Sequence, residues 1–264
     1  MNELALFAGA GGGILGGKLL GWRTVCAVEW EPYPASVLCA RQNDGLLPPF
    51  PIWDDVQTFD GKPWRGIVDV VSGGFPCQDI SAAGKGAGIE GERSGMWRHM
   101  ARVVGEVRPR FVFVENSPML VTRGLERVLG DLTALGYDAK LTVMGAADVG
   151  GNHQRDRIWI VGFNSKISNT SIIGLEKQKS QQRLHIRERE IYIPDSNGAQ
   201  CQGMQQSERT KQEHSYASNS RWWQTEPNVG RVADGVAARV DRLKAIGNGQ
   251  VPLCAAEAWQ ILTT

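Results

Sequence analysis

Several common patterns are missing from this 264-residue chain. Its five cysteines, Cys26, Cys39, Cys77, Cys201 and Cys254, form no C-x-x-C pair, and an odd count is a poor basis for a disulfide framework. The four histidines and five cysteines show no spacing of a metal site. No apolar run reaches membrane-spanning length without a charge. Net charge is only +1, split as +4 over residues 164–246 and −3 over the remainder. That imbalance is compatible with a polyanionic partner but too small to argue for one. Residues 4–22 are apolar, yet they lack a basic leader, contain Lys18 and are broken by seven glycines. They read as a buried strand and glycine turn rather than a signal peptide. Without a secretion signal, the acceptor-like Asn169-Thr170-Ser171 is a chance match. These absences lead to the expectation of a soluble, cytoplasmic protein with no membrane partner and no metal. The 42% hydrophobic content suffices for one large domain, or one of roughly 160–190 residues with a small appendage.

What is present is alternation. Short apolar runs at 4–8, 24–29, 68–72, 111–115, 139–144 and 158–163 read as buried strands. Between them, 14–20, 33–42, 96–107 and 125–135 read as helices, and 252–262 reads as a last helix with Pro252 in its first turn. Alternating strands and helices, with continuously apolar strands, predict an α/β fold built on a doubly wound, mostly parallel sheet. From Asn164 to about Ser220 the texture changes to Gln, Ser, Asn, Arg and Lys with few aliphatics. Such a segment is either a surface insertion or a substrate-reading element, weakly ordered without a partner. Order is expected to return near Trp222-Trp223.

Chemistry-bearing residues fall at the predicted strand ends. Phe7-Ala8-Gly9-Ala10-Gly11-Gly12-Gly13 follows the first strand and opens a helix, a pattern that lets a ligand approach the backbone. Glu29 ends the second strand, where a carboxylate can accept from ribose hydroxyls, and Trp30 offers a flat face to an adenine. The spacing departs from G-x-G-x-x-G, so a packing turn with a surface acid stays open beside an adenosine site. Gly73-Gly74-Phe75-Pro76-Cys77-Gln78 follows the third strong strand, and 79–95 has the glycine-rich composition of a closing flap. A lone cysteine is more often a small buried hydrophobe, but this placement favours a nucleophile. Glu115 leaves an apolar strand as either an ion-paired structural group or a tuned acid. Arg155 and Arg157 fall on one side if that segment is extended. There they would offer two guanidinium forks to a phosphate or carboxylate, unless they form a solvated basic edge.

Taken together, these segments resemble the cytosine-5 DNA methyltransferases. In family order the chain has Phe-x-Gly-x-Gly-Gly at 7–12, Glu29-Trp30, Asp55-Val56 and Gly-Phe-Pro-Cys-Gln at 74–78. Glu115-Asn116, Gln-Arg-Asp-Arg at 154–157, and Gly247-Asn248 with Val251-Pro252 follow. The resemblance implies a Rossmann-like catalytic domain at 1–163 and 241–264, and a small, loop-rich target recognition region at 164–240. It implies S-adenosyl-L-methionine as cofactor, with Phe7, Gly9 and Gly11 lining it. Glu29 would hold its ribose, and Trp30 and Asp55 would contact its adenine. Asn248 would brace the active-site loop on the cofactor side. Cys77 would attack C6 of a flipped-out cytosine, flanked by the substrate-binding Pro76 and Gln78. Glu115 would bond N3 and the exocyclic amine, Arg157 would anchor the base, and Arg155 would support the site. The implied partner is double-stranded DNA. A monomer is expected, bacterial or phage-encoded, with a role in restriction-modification, alongside a cognate restriction endonuclease or as orphan DNA protection. Ser117 departs from the family's valine after Glu-Asn, and Gly249-Gln250 from its small residue and valine. Rival readings are a tRNA methyltransferase of the same family, whose marker Cys-Phe-Thr is missing here, a non-catalytic nucleic-acid-binding relative, and a dinucleotide-dependent oxidoreductase.

Overall fold

The first strand, β1 (Asn2–Leu6), alternates its side chains between two cores: Leu4 and Leu6 enter one, Ala5 the other. The same division runs across the sheet and sets the layers. The computed structural model describes residues 1–76, 94–164 and 239–264, all within one compact unit. Cys77, Gln78, the flap composition at 79–93, the recognition region at 165–238 and Trp222-Trp223 lie outside the described residues.

The remaining strands are β2 (Arg23–Val28), β3 (Ile52–Trp53), β4 (Val70–Gly73), β5 (Phe111–Asn116), β6 (Tyr137–Met144) and β7 (Arg157–Asn164). They form one sheet in the order β3-β2-β1-β4-β5-β7-β6. The first five in that order are parallel, and β7 is antiparallel to both neighbours. The helices are α1 (Gly12–Leu19), α2 (Pro32–Asn43), α3 (Trp97–Val107), α4 (Leu120–Arg123), α5 (Leu125–Ala134), α6 (Arg239–Asn248) and α7 (Pro252–Thr263). On one face, Met100, Val103, Val104 and Val107 of α3 and Val128 and Leu132 of α5 pack against Leu4, Val71, Val112, Val114, Ile158 and Ile160. The other face is covered by Ile14 of α1 and Leu38 of α2, and by α7 through Cys254, Ala255, Ala258, Trp259 and Leu262. Helices on both faces of a mostly parallel sheet are the expected doubly wound arrangement.

An aromatic cluster fastens α7. Trp259 meets Trp22 edge-on at 4.6 Å between ring centroids and Phe113 at 5.4 Å, and Phe113 stacks on Trp159 at 5.4 Å. Such pairs contribute about 0.5–1.5 kcal/mol each beyond the area they bury. The cluster therefore fixes the turn at 249–251 that precedes α7.

Three features differ from the sequence expectation. The run at 139–144, expected to be buried, belongs to an edge strand, with Leu141 and Val143 exposed, because β6 pairs only with β7. The run at 158–163 is as apolar as a parallel core strand, yet it runs antiparallel. Periodicity reports burial on both faces and not direction. The segment before β7 is not extended: Arg155 has φ 65°, so alternation does not place it beside Arg157. Among the described residues, no helix is long and apolar enough to cross a membrane, and no group of His, Cys, Asp and Glu could hold a metal ion.

Candidate active site

The strand order reverses between β1 and β4, opening a crevice at the carboxyl edge where such sheets place ligands. Leu6 pairs with Gly73, and Gly73 with Val114, so the chain segments leaving β1, β4 and β5 emerge side by side. Because β7 is antiparallel, its first residue, Arg157, starts at that same edge.

On the β1–β2 side, main-chain groups do the holding. Phe7 has φ 52°, a left-handed conformation that costs a non-glycine residue energy. Gly11, at φ 91°, caps α1 in a geometry that suits glycine. The Gly9 N–H donates to Glu29 Oε2 at 2.6 Å, and the Glu31 N–H to Oε1 at 2.8 Å. Glu29 is buried, and burial pushes its carboxyl above the usual range, although the two N–H donors and Lys244 pull it back. Each oxygen keeps a second lone pair for an incoming hydroxyl. Trp30 is 69% exposed, and a Cβ built on Gly9 would meet no atom within 4 Å. A carboxylate with spare lone pairs, an open glycine backbone and an exposed indole together fit an adenosine.

Asp55 lies in the next loop, and its Oδ1 accepts from the Gln57 N–H at 2.8 Å. Arg102 of α3 clamps this loop, donating to Val56 O at 2.7 Å and Phe59 O at 2.9 Å while pairing with Glu106 at 2.7 Å. Sequence reading missed Arg102. Its only signal was the i,i+4 spacing to Glu106, which marks many solvated helix faces.

On the β4–β5 side, side chains do the holding. Arg157 Nε pairs with Glu115 Oε1 at 2.8 Å, and Gln250 Nε2 donates to Glu115 Oε2 at 3.4 Å. Burial raises the Glu115 carboxyl above its ordinary range, against the opposing pull of Arg157, Arg155 and Gln250. Asn116 Nδ2 donates to Phe75 O at 3.0 Å, and its Oδ1 accepts from the Ser117 N–H at 2.8 Å. Phe75, buried against Trp97, and part-buried Pro76 complete the described stretch leading to Cys77. Asn116 thus ties the start of the cysteine loop to the end of β5.

The two arginines have separate tasks rather than forming adjacent forks. Arg157 faces Glu115, whereas Arg155 Nη2 donates to Gly247 O at 2.6 Å and Gly249 O at 2.5 Å, closing the turn between α6 and α7. Asn248 lies between those carbonyls as the exposed last residue of α6. The edge therefore gathers Phe7, Gly9, Gly11, Glu29 and Trp30 on one side and Glu115 and Arg157 on the other, with Asn248 held indirectly. Cys77 and Gln78 lie outside the described residues.

A seven-stranded mixed sheet with helices on both faces, and a glycine turn and acids along its carboxyl edge, is a Rossmann-like methyltransferase fold. It is similar to the solved Entamoeba histolytica methyltransferase EhMeth, with a TM-score of 0.53 at 15% identity over 62% of this chain and 53% of that one. At that identity the likeness concerns the fold. The model of the C-5 cytosine-specific DNA methylases matches residues 1–252, and the chain belongs to that family. It is 34% identical to the Type II methyltransferase M.NgoBI of Neisseria gonorrhoeae, over 63% of this chain and 51% of that protein. It is 32% identical to M.Eco47II of Escherichia coli, over 74% of this chain and 48% of that protein. The chain spans about half the length of the curated relatives it matches. Family membership implies S-adenosylmethionine as the methyl donor.

Proposed function

We propose that this chain is a DNA cytosine-5 methyltransferase that methylates a flipped-out cytosine in duplex DNA through a transient bond between Cys77 and C6. The observation that carries this reading is Glu115. A part-buried carboxyl inclined to keep its proton, paired to Arg157, sits at a sheet edge where Asn116 grips the loop two residues before Cys77.

Residues 7–11, Glu29, Trp30 and Asp55 would hold the donor, whose chemistry when bound is a methyl group on a cationic sulfur. C5 of cytosine is a poor nucleophile. Addition of the Cys77 thiolate at C6 forms an S–C6 bond and drives the C5=C6 electrons toward C5 and, through the ring, N3. An ordinary thiol of pKa about 8.5 is only a few per cent thiolate at neutrality, so the site must favour the anion or deprotonate it on attack. Glu115 gives its proton to N3 as that charge develops, which a raised pKa permits near neutrality. C5, now enamine-like, takes the methyl, and the electrons of the broken C–S bond stay on the donor's sulfur as a neutral thioether. Loss of the C5 proton to water restores the C5=C6 double bond and expels Cys77 as the thiolate, while N3 returns its proton to Glu115. Arg157 anchors the base beside Glu115, and Arg155 keeps the 247–249 turn closed. A stacked base cannot reach such a cluster, so the cytosine leaves the helix at a cost of a few kcal/mol. Pro76 and Gln78 would flank it, and 164–240 would read the duplex.

Duplexes carrying 5-fluorocytosine at the target test this reading, because fluorine blocks the last proton loss. The expected result is a denaturation-resistant protein–DNA adduct with the native chain and none with Cys77→Ala. An adduct of equal yield with the alanine variant would overturn the assignment of Cys77.

A further inference from the structure

Gln250 stands where the sequence departs from its family, and the structure gives that departure a use. Its backbone carbonyl lies against Gly12, where a Cβ would collide with it. Its side chain fills a slot left by two other missing side chains: a Cβ on Gly13 would come within 2.5 Å of Gln250 Oε1, and one on Gly74 within 2.8 Å of Nε2. The same Cβ on Gly74 would come within 2.5 Å of Glu115 Oε2. The carboxamide therefore spans from the helix-opening turn of α1 to the start of the cysteine loop, and its Nε2 ends on Glu115 at 3.4 Å. The turn beneath it is closed by Arg155 and anchored by α7, so the backbone that carries the amide is held from both sides.

We propose that Gln250 is a positioning residue for the methyl transfer: it fixes the Glu115 carboxyl through Oε2 while Arg157 holds Oε1, leaving the group's orientation set from two sides. This rests on the reading of Glu115 as the proton donor to the base. An amide suits the task better than an ammonium or a carboxylate. It can donate to the ionised carboxyl, and turned end for end it can accept from the protonated one, so it serves Glu115 before and after the proton leaves. A valine at 250 would do neither. Among the described residues, the charged groups acting on Glu115 are Arg157 and Arg155, and both are left in place by the test.

The experiment is single-turnover methyl transfer to duplex DNA across pH with the native chain, Gln250→Met, Gln250→Glu and Glu115→Gln, each checked for its melting temperature and donor affinity. Gln250→Met keeps the length and loses the hydrogen bond. Its maximal rate is expected to fall about fivefold. Loss of the N–H donor raises the carboxyl's proton affinity, so the alkaline limb of the profile moves to higher pH. Gln250→Glu adds a like charge and should move that limb further in the same direction; it carries the test if the methionine variant does not fold. Donor affinity should stay within about twofold, which separates positioning of Glu115 from damage to the neighbouring glycine turn. An unmoved limb and an unchanged maximum, with Glu115→Gln inactive, overturn the role of Gln250 alone. Full activity in Glu115→Gln overturns the role of Glu115 and this inference with it.

Discussion

Glu29, which is buried, and Glu115, which is part-buried, lie at one sheet edge and are held in opposite ways. Glu29 is gripped by the backbone N–H groups of Gly9 and Glu31, at sequence separations of 20 and 2. Glu115 is gripped by side chains, Arg157 on the neighbouring strand and Gln250 at a separation of 135. A backbone grip is rigid and suits a group that binds the same ligand every cycle. A side-chain grip holds the carboxyl's orientation from two sides while its partners can re-pair with it, as a group that gains and loses a proton requires. Glu3 offers a third case away from the edge. It is 1% exposed, it accepts from Ser72 Oγ at 2.6 Å and Thr24 Oγ1 at 2.7 Å, and burial raises its pKa.

The largest expected effect breaks the comparison at Glu115. Glu115→Gln should lower single-turnover methyl transfer by about 10²–10⁴-fold with donor affinity preserved. A loss confined to donor binding would show that the two carboxyls do not divide the work. Glu29→Ala should do the reverse. Donor affinity, measured by calorimetry, should weaken by about 10–100-fold, as for loss of charge-assisted hydrogen bonds, while the rate at saturating donor changes little. Arg102→Met should release the loop at 55–59. It should cost about 1–3 kcal/mol in urea unfolding and weaken the donor more than it slows transfer.

Glu3 sharpens the comparison through pH. Its folded pKa lies above its unfolded one, so the native state binds more protons between the two, and stability is lost as pH rises through the folded value. Glu3→Gln removes that loss. Its stability relative to the native chain should therefore increase from pH 5 toward pH 8, and a pH-independent difference would show that Glu3 is not the group responsible. The smallest effect is at Lys244, whose exposed pair with Glu31 at 2.8 Å should contribute only about 0–1 kcal/mol. Lys244→Ala should leave the melting temperature nearly unchanged.

What the sequence made legible follows from the same contrast. The glycine turn, Glu29 and Glu115 could be placed because each lies at or just past the end of an apolar strand, and strand ends in an alternating chain share an edge. Family order supplied their expected tasks. The grip on Glu115 was hidden: Arg157 reaches it only because β7 runs antiparallel, and strand direction leaves no mark in a fully apolar run. Gln250 showed only as an odd residue in a motif, since the slot it fills is defined by glycines 176 or more positions away in the chain. The separation of Arg155 from Arg157 depends on one positive φ that no periodicity encodes.

The central claim is that this edge carries out methyl transfer to C5 of cytosine in duplex DNA. It is tested most directly by supplying the purified protein with S-adenosylmethionine and a library of duplexes, then digesting the DNA to nucleosides for mass spectrometry, with tRNA in parallel. The account predicts 5-methyldeoxycytidine from the duplexes and no methylated cytidine from tRNA. Methylation of tRNA alone, methylation at a ring-exocyclic nitrogen, or no methylated base in any substrate would contradict it.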